Sequence, residues 1–245
     1  MQTPTAILHV WRQFDTVPME TLTKAWLYSA PGGPRQRSAS EIAAHRREYG
    51  TGGNCFDLAI WLLQEFGRAG VRAHAIGHNF FTPSAHVAVL AYDGQDRYLC
   101  DLGDQWLEPV PVNADIREPV GGYFPAAKVG LRTEGTVCTV TYLRPSKAIT
   151  SQAYSLDEID YETLLRAGAH SQALLRRPLC EVRVPFKDEI AHWEFDDRSS
   201  FLSTSDGLLR DPPVTLIEGW CDRIHAHTGI ARPIIAQALK VYYAI

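Results

Sequence analysis

The strongest constraint on the fold is a change of hydrophobic period near residue 70. Before it, Phe56, Ala59, Ile60, Leu63 and Phe66 recur at helical spacing, which predicts a strongly amphipathic helix closed by Gly67 and Gly70. After it, Val71 to Ile76, His86 to Tyr92 and Arg97 to Leu102 read as strands, with Asp93-Gly94 as the central pair of a hairpin turn. Lys128 to Arg132 and Gly135 to Leu143 predict a second hairpin. Upstream, Met19 to Tyr28 reads as a short helix, and Ala30-Pro-Gly-Gly-Pro34 as a loop. Ser38 with Glu41 forms a capping-box pattern that opens a helix through about Tyr49. Ser155 with Glu158 predicts another helix through Leu175, with Asp157 and Glu158 as favourable charges at its start. Strands return between Leu179 and Leu202, and helices around Val214 to His227 and Pro233 to Tyr243 close the chain. Helices first, antiparallel strands next and a mixed segment last is the order of an α+β protein, not of alternating βαβ units.

A chain of 245 residues with 45% hydrophobic content can build one core or two closely packed subdomains. Its 24 Lys+Arg against 28 Asp+Glu leave a net charge of −4, with no electrostatic footprint for nucleic acid or an anionic membrane. Nine Phe, ten Tyr and six Trp argue against disorder. The most apolar stretches, such as Leu58 to Leu63 and Val87 to Tyr92, fall far short of the roughly 20 residues of a bilayer span. The first residues lack a basic segment followed by an apolar one, so no secretory signal is expected. The five cysteines, Cys55, Cys100, Cys138, Cys180 and Cys221, are odd in number, widely spaced and free of any C-x-x-C pair. That usage points to unpaired thiols and a cytoplasmic location.

Cys55 stands apart from the other four. It follows Gly52-Gly53-Asn54 and opens the amphipathic helix, where unpaired backbone N–H groups and the positive dipole end favour a thiolate. The competing reading is a buried thiol that packs as a small hydrophobe. A nucleophilic Cys needs a base, and the base an orienting group. The hairpin supplies both. With Asp93 and Gly94 as the central turn residues, His86 lies directly opposite Asp101; with a four-residue loop over Asp93 to Asp96 the two are diagonal but still share a face. Either register lets Asp101 hold one imidazole nitrogen and leaves the other for Cys55. Cys100 alternates with Asp101 and is expected in the core, and Cys138 packs within a strand. No metal site is expected: His74 and His78 lie on a strand-to-loop segment, and Cys221, His225 and His227 lack a fourth ligand. There is no phosphate loop and no dinucleotide fingerprint.

These residues resemble the arylamine N-acetyltransferase family. Its nucleophile motif, R-G-G-x-C-F-E, is matched by Thr51-Gly52-Gly53-Asn54-Cys55-Phe56-Asp57. The family's D-x-G setting is matched by Asp101-Leu102-Gly103, and its I-P-F-E element by Val17-Pro18-Met19-Glu20. His86 follows Cys55 by 31 residues, and Asp101 follows His86 by 15, in the family's order. The resemblance is specific from about residue 10 to 110 and loose thereafter. It implies a helical segment over 1–70 carrying the nucleophile, a β-barrel-like segment over 71–150 carrying His and Asp, and an α/β lid over 151–245. It also implies a papain-like triad in which Cys55 takes an acyl group, normally acetyl, from an acyl-CoA co-substrate and passes it to a small amine, with no bound cofactor. By the same analogy Phe56, Gly103 and Asp104 border the substrate.

Three positions depart from the family. Thr51 replaces Arg and removes an expected partner for Glu20, while Asp57 replaces Glu. Asp104 stands where many members carry an aromatic, and a carboxylate there favours a polar or cationic acceptor unless it faces solvent. The same triad also suits amide hydrolysis, transglutaminase-like transfer or amide formation, and the altered motif leaves a catalytically silent binding module as a further alternative.

Overall fold

The period-two segments pair into two antiparallel sheets, and the helices cover them. The computed structural model describes residues 2–244. Helix α1 (Thr5–Trp11) and a 3-10 turn (Arg12–Phe14) lead to strand β1 (Met19–Glu20), then α2 (Leu22–Tyr28), α3 (Ala39–Tyr49) and α4 (Cys55–Arg68). Strands β2 (Ala73–His78), β3 (His86–Asp93), β4 (Asp96–Cys100), β5 (Val110–Pro111) and β6 (Ile116–Phe124) follow, then β7 (Ala127–Glu134), β8 (Val137–Leu143) and β9 (Ile149–Ile159). Helix α5 (Tyr161–Ala173) precedes β10 (Leu179–Phe186), β11 (Glu189–Asp196), β12 (Ser199–Thr204) and β13 (Gly207–Arg210), and α6 (Ile217–Thr228) and α7 (Arg232–Ala244) end the described chain. The class is α+β, as the sequence predicts. An eight-stranded barrel-like sheet has the order β5-β4-β3-β2-β9-β8-β7-β6, and a five-stranded sheet the order β1-β10-β11-β12-β13. Among the described residues, no helix is long and apolar enough to cross a membrane.

Helix α4 lies against the first sheet because its apolar stripe is wide. Phe56, Leu58, Ile60, Leu62 and Phe66 are all essentially inaccessible and join Ala75, Ile76 and Val87 to Ala91 in one core. Burial of each large side chain there stabilises the fold by about 1.5–3 kcal/mol. A second core joins Leu22 and Ala25 of α2 to Trp193 and Phe195 of β11 and to Ile235 and Leu239 of α7. Strand β1 ties the two together. Met19 and Glu20 pair with Glu181 and Cys180 of β10, while the Glu20 N–H donates to the carbonyl of Gly53 at 2.8 Å.

Three local expectations are corrected. Met19 and Glu20 are strand, not helix, because they pair with β10. The Glu20 carboxylate then folds forward to accept from Thr23 N–H (2.8 Å) and the Thr23 hydroxyl at the start of α2. The segment opening at Ser155 is also strand: β9 runs through Ile159, with Tyr154 and Leu156 buried and Ser155 and Asp157 turned outward, so Asp157 and Glu158 are strand residues. The helix begins at Tyr161, capped by Asp160, which accepts from Thr163 N–H at 2.8 Å. Its true cap lies five residues beyond the sequence's look-alike. Finally, the β3–β4 turn is centred on Gly94-Gln95, since Asp93 pairs with Asp96 and Val89 with Cys100. Gly94, at φ 59°, takes the first central position, where a positive φ is needed. This is the register in which His86 and Asp101 are diagonal and share a face.

Candidate active site

Cys55 is the first residue of α4. The turn before it is closed by a capping box: Asn54 accepts from Asp57 N–H at 3.1 Å, and Asp57 accepts from Asn54 N–H at 3.3 Å. Gly53 sits at φ 140°, and a Cβ there would strike the Asp57 carboxylate and the Arg37 guanidinium. Of the five thiols, Cys55 alone is partly exposed; Cys100, Cys138, Cys180 and Cys221 are buried. Burial pushes the Cys100 and Cys180 thiols up, as expected for packing residues.

The structure brings Cys55, His86 and Asp101 together around Gly103. A Cβ built on Gly103 would lie 2.7 Å from Cys55 Cβ, 3.0 Å from His86 Cε1 and 3.1 Å from Asp101 Oδ1. His86 opens β3, and its Nε2 lies 2.7 Å from Asp101 Oδ2. Asp101 is fully buried just past β4, and accepts further bonds from the Tyr154 hydroxyl (2.8 Å) and Asp104 N–H (3.0 Å). Burial opposes charge on His86, but the carboxylates of Asp101 and Asp104 and hydrogen bonding to Asp101 and Cys55 hold the imidazole well above its ordinary 6.5. Burial likewise pushes Asp101 up, yet the positive His86, Asp104 N–H and the Tyr154 hydroxyl together hold it below its ordinary 3.8. The pair therefore favours imidazolium and carboxylate.

Asp104 lines a cleft of about 660 Å³ together with Tyr142, Glu181, His192 and Glu194. Its carboxylate accepts from the Tyr142 hydroxyl at 3.1 Å and lies 3.9 Å from His86 Nε2. Burial and the nearby Asp101 charge push it up to about 6. Phe56 is fully buried in the main core, where its ring lies 5.9 Å from that of Phe80.

Several residues of the site have no local signal in the sequence. Arg37, from the loop before α3, is 2% exposed and pairs with Asp57 at 2.9 Å while donating to the Gly52 carbonyl at 2.9 Å. Gln36 and Gln172 complete the Asp57 shell at 2.7 and 3.0 Å. Arg37 thus brings a cation to the pocket where Thr51 replaces the family's Arg. Burial raises the Glu20 carboxyl, and the Thr23 bonds and the Arg37 charge offset only part of that rise. Lys24 of α2 donates to Ser171 at 3.1 Å, which in turn accepts from Asn54 at 3.1 Å. Burial lowers the Lys24 ammonium, against the opposing charges of Cys55, Asp57 and Glu20. With Arg176 and Arg177 it lines a second cleft of about 480 Å³. Tyr154 also went unmarked; its signal is only the alternation within β9.

A thiol, an imidazole and a buried carboxylate in this order can form and resolve a covalent acyl intermediate. No protein-family model matches the chain, and no curated protein matches it. Solved structures do. The arylamine N-acetyltransferase of Mycobacterium smegmatis superposes with a TM-score of 0.75 at 18% identity, over 97% of this chain and 91% of that one. The Mycobacterium marinum enzyme in complex with CoA gives 0.72 at 15% identity, over 95% and 91% of the two chains. A Bacillus cereus arylamine N-acetyltransferase with a Cys-His-Glu triad gives 0.68 at 16% identity, over 94% and 92%. Over at least 94% of its length, the chain has the arylamine N-acetyltransferase fold.

Proposed function

We propose that the protein is a cysteine-dependent N-acyltransferase that carries an acyl group from a CoA thioester, through Cys55, to a small amine. The observation that carries this reading is the convergence of Cys55, His86 and Asp101 around Gly103, with His86 Nε2 engaged by Asp101 at 2.7 Å. Asp101 occupies one ring nitrogen, so Nδ1 is left for the thiol. The Cys55 thiolate attacks the donor carbonyl, the new C–S bond forms, and the departing CoA thiolate takes the proton from His86. The amine then attacks the Cys55 thioester; the C–N bond forms, the C–S bond breaks, and the amine proton returns to His86. Asn54 already occupies the N–H groups of Asp57 and Leu58 (3.1 and 3.0 Å), so Cys55 and Phe56 supply the first-turn donors to the oxyanion. Phe56 thereby meets substrate through its backbone.

The cleft at Lys24, Arg176 and Arg177 supports a phosphate-bearing donor, because its charge complements the CoA phosphates. Replacing Arg176 by Ala is expected to raise KM for acetyl-CoA roughly fivefold, the scale of one solvent-screened ion pair. KM for p-nitrophenyl acetate, which has no phosphate, should stay within twofold in steady-state assays.

The test of the whole reading is intact mass after exposure to acetyl-CoA or p-nitrophenyl acetate. One acetyl group is expected on the parent and none on Cys55→Ala. A full adduct on Cys55→Ala, or none on the parent with either donor, would overturn it. Turnover of peptide or glutamine amides without acyl-CoA turnover would assign the triad to amide chemistry instead.

A further inference from the structure

The cleft beyond Asp104 holds more negative charge than acyl transfer itself requires. Glu181 on β10 and Glu194 on β11 are directly opposite each other in the sheet register, an arrangement in which like charges repel. Both line the cleft, as do Asp104 and His192. His192 is 6% exposed, and its Nε2, although 3.2 Å from Glu181 Oε2, has no hydrogen-bond partner among the described residues. The cation nearest in sequence offers no relief. Arg183, paired across from His192, spends its guanidinium on the carbonyls of Trp106 (2.7 Å) and Phe14 (2.5 Å). Arg144, the one Lys or Arg of the lining, lies 6.0 Å over the Phe124 ring, and its charge together with that of His192 offsets only part of the rise at Glu194. Burial and the Glu181 charge push Glu194 up to about 7, and burial and Asp101 push Asp104 up to about 6. Three carboxylates and an unsatisfied buried imidazole therefore face one cavity next to the reacting centre. Phe124 and Phe201 form its apolar walls.

Resting on the acyl-transfer reading above, we propose that the acceptor carries a second, positively charged group besides the nitrogen that is acylated. Glu181 and Glu194 hold that cation, Phe124 and Phe201 flank the body of the molecule, and Asp104 lies beside the nitrogen that attacks. The neutral nitrogen makes the new bond by the steps given above, and the second cation takes no part in bond making. A neutral arylamine would desolvate the same carboxylates and leave them without a partner. The class is thus an amine with a remote ammonium or guanidinium group.

The test compares 4-(aminomethyl)aniline with p-toluidine, which differ by one ammonium group, and with 4-aminobenzoate, which is anionic. The expected kcat/KM for the cationic amine exceeds that for p-toluidine about tenfold or more, the scale of one charge-assisted contact. The ratio should shrink as salt is added, and 4-aminobenzoate should be the poorest of the three. In Glu194→Gln and Glu181→Gln the ratio should collapse toward one. Equal or better use of p-toluidine by the parent would overturn the proposal. Calorimetric binding of benzylamine against benzyl alcohol reads the same cleft without turnover. Benzylamine should bind the parent and lose affinity in Glu194→Gln; equal binding of the two compounds would also overturn it. Failure of Cys55 to accept an acetyl group, with benzylamine still bound selectively, would count against acyl transfer and leave the cation site standing.

Discussion

Replacing Asp101 by Asn is expected to lower the second-order rate of Cys55 acetylation by roughly 10³–10⁴, the loss typical when a triad histidine loses its orienting carboxylate. The side chain keeps nearly its shape, but one acceptor oxygen becomes an NH2 donor, so the amide cannot accept at once from Asp104 N–H on one side and from His86 and the Tyr154 hydroxyl on the other. What disappears is the charge that holds the His86 imidazolium. Stability should follow with a definite sign. His86 is raised in the fold, so its contribution is full below 6.5 and fades as pH climbs through the higher folded value. Asp101 is lowered, so its contribution is full above 3.8 and fades as pH falls through the lower folded value. The gap in Tm between parent and Asp101→Asn should therefore be widest between about pH 4 and 6.5 and narrow on both sides. Stopped-flow acetylation and calorimetric melts read the two effects separately. An unchanged acetylation rate would remove Asp101 from the mechanism.

The second large effect is expected at Arg37. Arg37→Met leaves the Asp57 carboxylate, 1% exposed, without its only ion-pair partner among the described residues. Breaking a buried pair from one side costs about 3–5 kcal/mol, which lowers Tm by roughly 10 °C in a chain of this size. Gln36, Gln172 and Asn54 N–H continue to donate, so the loss belongs mainly to the charge. Adding Asp57→Asn should restore part of the stability, because the unpaired charge goes with it. Melts of the two single variants and the double variant give the coupling directly. Single-variant losses that simply add would mean that Arg37 and Asp57 do not act as a pair.

These two residues also mark how far the sequence could be read. Cys55, its helix and the Asn54–Asp57 cap are local features, and local propensity and periodicity find them. His86 and Asp101 are remote from Cys55, but strand parity puts them on one face in either register, so a one-residue shift of the turn leaves them together. Arg37 is different. Nothing in Arg35-Gln36-Arg37 says which side chain turns inward, and that choice is made by a carboxylate 20 residues later. Glu181 and Glu194 show the same limit in a sheet: each reads as an ordinary strand residue until the β10–β11 register sets them face to face. Ser155 with Glu158 was a false helix start because the same residue types serve a strand whose buried positions, Tyr154 and Leu156, alternate. Propensity there yields to pairing with β8.

Strand β1 has a consequence for the order in which the molecule comes into being. Gly53, two residues before the thiol, is held by Glu20, and Glu20 is held by Cys180, 160 residues further along the chain. The carbonyl of Thr21 waits longer still, for the hydroxyl of Tyr242. Contacts of such separation form late, because the intervening loop must close before they contribute. In a nascent chain the turn before Cys55 thus has its local cap from Asn54 and Asp57 early, and gains the support of Glu20 and β10 only once the C-terminal sheet has formed.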